Sequence, residues 1–335
     1  MPLLWVEMWI GSTIIPCGMS LYHEGVAVMI RKLMNRKGFV IAAAIFCCAL
    51  WGISTPIVKM GYDYVDATHV PSLLLWVGLQ FVVSGFLTIG IYSLFSKKVL
   101  TPKKESWKGV AIVALLQTVL QYSLMYVGLL HTTSVKGAIL KSTDVFFVAL
   151  IASLIFKLEK LTAKKLISCI IGFLGIIIMN LDGLSLQISP LGDGLVLLGI
   201  FSYSFSVIAV KLFAQKEAPI TLCGYQMTAG GLTLVLAGIL LNGKLDLLGM
   251  LPVFVCLSAI YAVSYTLWTV LLKYNPASGI TIYSFMTPVF GVLFSSLLLQ
   301  EDGGVATVNL IVALILVCAG ILLWGYEKKS KTIAL

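Results

Sequence analysis

Polar residues are sparse along this chain, and the apolar runs between them follow neither a two-residue alternation nor a single polar stripe. Ten such runs fall near 38–60, 72–95, 108–130, 136–156, 164–181, 192–213, 221–241, 251–272, 277–299 and 306–325. Each approaches the roughly 20 residues that a helix needs to cross a hydrocarbon core of about 30 Å. Strands of a membrane barrel would alternate apolar and polar positions. These runs are apolar all round, so the pattern predicts an all-α polytopic membrane protein with ten transmembrane helices.

Composition agrees, with 59% apolar and only 11% charged residues and a mean hydropathy of +1.03, where soluble chains carry about a quarter charged residues. The net charge of +9 follows the membrane rather than a nucleic acid. Lysines and arginines gather before the first run (Arg31, Lys32, Arg36, Lys37), after the second (Lys97, Lys98, Lys103, Lys104) and after the fourth (Lys157, Lys160, Lys164, Lys165), then thinly at Lys211, Lys216, Lys273 and the tail. Alternate loops carry the acids Asp63 and Asp66, Asp182 and Asp193, Asp246, then Glu301 and Asp302. The positive-inside rule then puts both termini in the cytoplasm, which requires an even number of spans. The seven cysteines have no CxxC or CxxH spacing, so neither disulfide nor metal is expected, and no cofactor. Residues 1–33, with Glu7 and Pro16 in a short apolar stretch, read as an extension or peripheral helix outside the fold.

The chain resembles itself. A shift of 142 residues superposes Leu129 and Leu130 on Leu271 and Leu272, Gly137 on Gly279, Ser153 on Ser295 and Glu159 on Glu301. A shift of 152 places Ser54, Val58 and Lys59 on Ser206, Val210 and Lys211, with Trp51 opposite Tyr203. A shift of 146 aligns Gly78 with Gly224, Gln80 with Gln226 and Gly85 with Gly231. Five spans per repeat is odd, so the second half must enter from the opposite side. The expected organisation is two inverted five-helix repeats, 34–181 and 192–326, followed by a basic cytoplasmic tail, 327–335.

Taken in order, several stretches resemble the drug/metabolite transporter superfamily, EamA type. They are Ala49-Leu50-Trp51-Gly52 with Pro56 and Lys59, Leu158-Glu159-Lys160-Leu161-Thr162, Gly172-Phe173-Leu174-Gly175, the stretch from Thr287-Pro288-Val289 to Gln300-Glu301, and Ala319-Gly320. The resemblance implies a carrier whose central cavity is lined by spans three, four, eight and nine with parts of one and six. Two positions depart from the family pattern. Gln80 precedes Phe81 where such proteins often carry an arginine, and Phe146 stands where the second half has Pro288.

Span four holds Lys136, Lys141 and Asp144. A central Lys or Asp costs roughly 2.5 to 3.5 kcal/mol, and each Leu, Ile, Phe or Val returns only about 0.3 to 0.6. The eleven such apolar residues of this span offset about two charges. Lys136 can snorkel to the outer surface. Asp144 lies about 12 Å deeper and Lys141 about 7.5 Å deeper, at 1.5 Å per residue. Standing three apart, the two share a helix face, either as a packing ion pair or as groups facing a pathway. In the second reading Asp144 couples protons or meets a cationic group, and Lys141 holds its charge state or meets a carboxylate.

Span three offers Gln117, Gln121 and Tyr122; span eight sets Tyr265 and Trp268 on one stripe with Tyr261; span nine adds Tyr283, Ser284 and Thr287. Such stripes serve packing or binding. The resemblance turns them, with Trp51 and Tyr203, toward the cavity. Pro56 and Pro288 are expected kinks or hinges. The function expected is a secondary transporter, an exporter of amino acids or related metabolites across the cell membrane, with protons as a coupling ion. No Walker A sequence is present to use ATP, and no HExxH or GxSxG motif supports the alternative of an intramembrane enzyme. A flippase for a lipid-linked substrate is the other alternative.

Overall fold

A computed structural model describes residues 32–96, 99–181, 187–299 and 307–325, and among them every regular element is helical. The expectations placed on the extension through Arg31, on Lys97, Lys98, Asp182, Glu301 and Asp302, and on the tail beyond Gly325 lie outside the described residues. Two compact units divide between Ala42 and Ala43, and the membrane core belongs to the second.

Among the described residues nine helices are at least 18 residues long and apolar enough to cross a membrane: α1 (Lys37–Gly61), α2 (Val70–Leu94), α3 (Lys104–Leu129), α4 (Val135–Ile155), α6 (Pro190–Phe213), α7 (Pro219–Leu240), α8 (Leu251–Tyr274), α9 (Ala277–Leu298) and α10 (Val308–Gly325). The fifth run forms α5 (Ala163–Met179), which has 17 residues. The expected ten runs are thus all helical, and the fifth is one residue shorter than the rest require. Several helix starts are written in the sequence. Thr133 accepts from the Lys136 amide, Thr162 from the Lys165 amide and Ser189 from the Gly192 amide, which satisfies N–H groups that a helix leaves orphaned.

The most extensive helix packings join α2 to α7 and α5 to α10, the second and fifth helices of the two repeats. A Cβ on Gly78 would lie 2.8 Å from the Gly231 carbonyl oxygen, and one on Gly85 2.6 Å from that of Gly224. As the number rises along α2 it falls along α7, so the helices run antiparallel. Gly78 corresponds to Gly224 and Gly85 to Gly231, so the second contact is the first turned through a two-fold axis. Helices α5 and α10 repeat the arrangement, with Gly175 against the Ala313 carbonyl and Gly320 against that of Ser168. Antiparallel packing of equivalent helices is inverted topology seen directly. Small residues permit this approach, because lipid supplies no hydrophobic drive between helices and close contact must hold them.

Large apolar side chains such as Phe86, Leu94, Leu236, Leu240, Leu297 and Ile315 are exposed on the protein surface. In a bilayer that surface meets acyl chains rather than water. Polar links tie the interior instead. Ser84 donates to the Ser258 carbonyl at 2.9 Å, Thr118 to Gln226 Oε1 at 3.1 Å, and Ser202 to the Leu116 carbonyl at 2.8 Å.

Candidate functional site

Two of the crossing helices are broken. Within α4 the helix Ser134–Lys141 ends and Asp144–Leu150 begins, with a turn at Ser142 and Thr143. There the Ser142 hydroxyl donates to the Ala138 carbonyl at 3.1 Å and the Thr143 hydroxyl to that of Leu140 at 2.6 Å. Short hydroxyl side chains compete for backbone carbonyls in this way and bend helices. Within α9 a 3-10 stretch, Ile282–Phe285, separates Ala277–Thr281 from Met286–Leu299. Its cause is Pro288, which lacks the N–H that would bond the Ser284 carbonyl and whose ring crowds that oxygen. The 142-residue shift superposes Ser142 on Ser284, so the repeats break at equivalent places by different chemistry.

The breaks meet at Asp144. Its side chain is buried with the residue 5% exposed, and Ser284 Oγ lies 3.3 Å from each carboxylate oxygen. Lys141 lies within electrostatic reach of the same carboxyl. The turn at 142–143 falls between the two, and no close ion pair joins them among the described residues. Cys48 donates to the Tyr283 carbonyl at 3.1 Å, beside the same break. Tyr203 and Cys48 lie within electrostatic reach of the Asp144 carboxyl.

A second group adjoins it. The Tyr122 and Tyr265 hydroxyls are 2.9 Å apart, joining α3 to α8. Trp51 sets its ring edge-on to Tyr265 at 5.6 Å and to Trp268 at 4.9 Å. Phe81 packs on Tyr122 at 5.0 Å, on Tyr261 at 5.7 Å and on Tyr265 at 5.8 Å. The stripe along α8 announced Tyr261 and the Gln80-Phe81 departure pointed near Phe81, but nothing local marked Cys48, which reaches the site from α1. Among the described residues the indole N–H groups of Trp51 and Trp268 and the Gln121 Oε1 have no hydrogen-bond partner. Buried polar atoms are normally paired, and the two indole N–H groups belong to the same aromatic group. Gln117 is buried within the π-helical stretch Ala114–Leu120, a feature frequent at functional sites. Thr287 opens the resumed helix of α9. Gln226, the repeat counterpart of Gln80, accepts from Thr118, as interhelical glue does.

The two prolines behave differently from each other. Pro56 lies inside α1, which stays a single helix through it, while Pro288 follows a real break. Between them α1 and α9 touch backbone to backbone, since a Cβ on Gly52 would collide with Phe290. Among the described residues no three His, Cys, Asp or Glu side chains stand together as metal ligands would.

Apolar helices in two oppositely inserted halves, with broken helices meeting at a buried carboxylate, define a polytopic membrane protein of the inverted-repeat kind used by carriers. The profile of the EamA-like transporter family matches residues 38–181 and again 190–326, and the chain belongs to that family. It is similar to the uncharacterized transporter YvbV of Bacillus subtilis (strain 168), with 25% identity over 296 residues, 86% of this chain and 92% of that one. An uncharacterized transporter of Archaeoglobus fulgidus is 23% identical over 82% of this chain and 94% of its own. The WAT1-related protein At3g02690, chloroplastic, of Arabidopsis thaliana is 23% identical over 66% of this chain and 56% of its own. A crystal structure with 14% identity matches with a TM-score of 0.70 over 86% of this chain and 98% of that chain, a likeness of fold. This is a membrane transport protein, embedded in lipid and acting on a small molecule.

Proposed function

We propose that the chain is a secondary transporter that exports amino acids or related small metabolites across the cell membrane by alternating access, with both termini cytoplasmic. The observation that carries the reading is the meeting of the two repeat-equivalent helix breaks at Asp144 and Ser284. Asp144 is the tenth of the 21 residues of α4 and so lies near mid-membrane. Carriers built from inverted repeats bind cargo there, on unwound helices between the halves. A buried carboxylate with Ser284 Oγ beside it and Lys141 within electrostatic reach is suited to exchange a proton or a cationic partner. An amino group supplies the cation, and the orphaned indole N–H groups of Trp51 and Trp268 offer donors for a carboxylate. The pairing of charges in an α-amino acid fits this arrangement, and proton binding at Asp144 would couple its export to the proton gradient.

The test is flux in proteoliposomes. Thermal unfolding of purified protein against amino acids, nucleosides, organic cations and sugars identifies a cargo, because ligands that bind the folded state raise its apparent stability. For that cargo, Asp144→Asn is expected to abolish flux driven by a pH gradient while the protein remains folded. Unchanged coupled flux removes the proton role. Stabilisation by sugars or nucleosides alone removes the amino-acid reading.

A further inference from the structure

The first turns of the two broken helices are each tied down by a carboxylate, on opposite faces of the membrane. On the acid-loop side, Lys136 Nζ lies 2.5 Å from Asp193 Oδ2 and 2.6 Å from the Gln187 carbonyl. The same carboxylate accepts from the Thr132 hydroxyl at 2.5 Å and the Ser189 amide at 3.0 Å. On the basic-loop side, the Ser278 amide donates to Glu159 Oε1 at 3.3 Å, its hydroxyl donates to Oε2, and Lys165 Nζ stands 3.5 Å from Oε2. The Glu159 side chain is only 6% exposed.

Symmetry relates the two held ends, not the carboxylates that hold them. The 142-residue shift that superposes the helix breaks also superposes Lys136 on Ser278. Each tie crosses between the halves. Asp193 of α6 holds α4, and Glu159, which follows α4, holds α9. The fixed part of the fold is held otherwise, by glycine-mediated backbone contact of α2 on α7 and of α5 on α10, which no hydration change can loosen stepwise. A polar tie near the surface is different in kind, because water replaces its hydrogen bonds when it opens.

We propose that Asp193 and Glu159 are the two latches of alternating access, Asp193 closing the outer end of α4 and Glu159 closing the cytoplasmic end of α9. The inference rests on the transporter reading and adds its gating residues. Both latches are made in this structure, so neither end of the broken helices is released. The outer latch is a close ion pair with three further hydrogen bonds, whereas the inner one holds Ser278, with Lys165 at 3.5 Å and Lys211 within electrostatic reach of Glu159.

The test measures distances and needs no cargo. In full-length protein whose native cysteines are replaced, one spin-label pair at Lys160 and Tyr274 reports the cytoplasmic side, and another at His131 and Leu191 the outer side. Glu159→Gln is expected to lengthen the cytoplasmic distance by several ångströms and leave the outer one unchanged; Asp193→Asn is expected to do the reverse. Should either variant fail to fold, Ser278→Ala and Lys136→Gln remove the same ties from their other ends. Distances that stay as in the parent protein, or that grow equally on both sides, overturn the proposal. Because flux is not measured, the result is independent of whether amino acids are the cargo.

Discussion

Gly78 of α2 stands so close to Gly231 of α7 that an added Cβ would lie 2.8 Å from the Gly231 carbonyl oxygen. A Cβ on Gly231 would in turn lie 2.7 Å from the Gly78 carbonyl. The neighbouring atoms are backbone, so no side-chain rotation can relieve the clash. Gly231→Ala is expected to destabilise the folded protein by about 1 to 3 kcal/mol, the usual cost of overpacking. Gly90 on the same helix α2 has nothing within 4 Å of its Cβ position. Gly90→Ala is expected to be neutral or to gain up to about 1 kcal/mol from helix propensity. Thermal unfolding of the two variants in detergent distinguishes a helix contact from a general intolerance of substitution.

The hydroxyl pair of Tyr122 and Tyr265 makes a second prediction. Removing one hydroxyl leaves the other buried without its partner, at a cost of about 1 to 3 kcal/mol, while removing both is nearly neutral. Tyr265→Phe should thus be less stable than the Tyr122→Phe, Tyr265→Phe double variant. A double variant that loses the sum of the single effects would mean that the two hydroxyls act separately.

Glu217, between α6 and α7, accepts from the Lys103 amide at 2.9 Å and from the Ala218 amide at 2.9 Å. Burial pushes its carboxyl up, but these donors outweigh it and leave the group below its ordinary value of 4.5. A depressed value in the folded state stabilises the fold above the unfolded value, and that contribution disappears as the pH falls through the depressed one. Glu217→Gln should therefore cost about 1 kcal/mol at pH 7, on the scale of one hydrogen bond. The gap to the parent protein should close below pH 4.5. A constant gap across that range would place the loss in packing.

Orientation is checked by reporters. One fused after Gly325 is expected to read cytoplasmic, and one inserted at Asn242, between α7 and α8, to read external. The same side for both would break the inverted arrangement, since an odd number of crossings separates these positions.

Much of this was open to inspection in the order of residues. Lipid forces the backbone to satisfy its own hydrogen bonds, so length and apolarity alone specified the helices, and α5 fell short only by a residue. The glycines at 78, 85, 224 and 231 were visible as matched positions, though their meaning as one two-fold contact was not. Asp144 stood out because a carboxylate at that depth is costly. Spacing along one helix pointed to Lys141, which lies within electrostatic reach, but no spacing could point to Ser284, 140 positions away.

The sequence by itself determined the all-helical class, the repeat and the transporter family, since each depends on composition or on local and collinear pattern. Only the tertiary structure decided that Asp144 meets Ser284, that Trp51 sits edge-on to Tyr265 and Trp268, and that Glu159 reaches Ser278. Those contacts join residues more than a hundred positions apart, and their geometry depends on how helices cross. In a membrane that crossing is set by where glycines let backbones touch, not by any spacing along one chain segment.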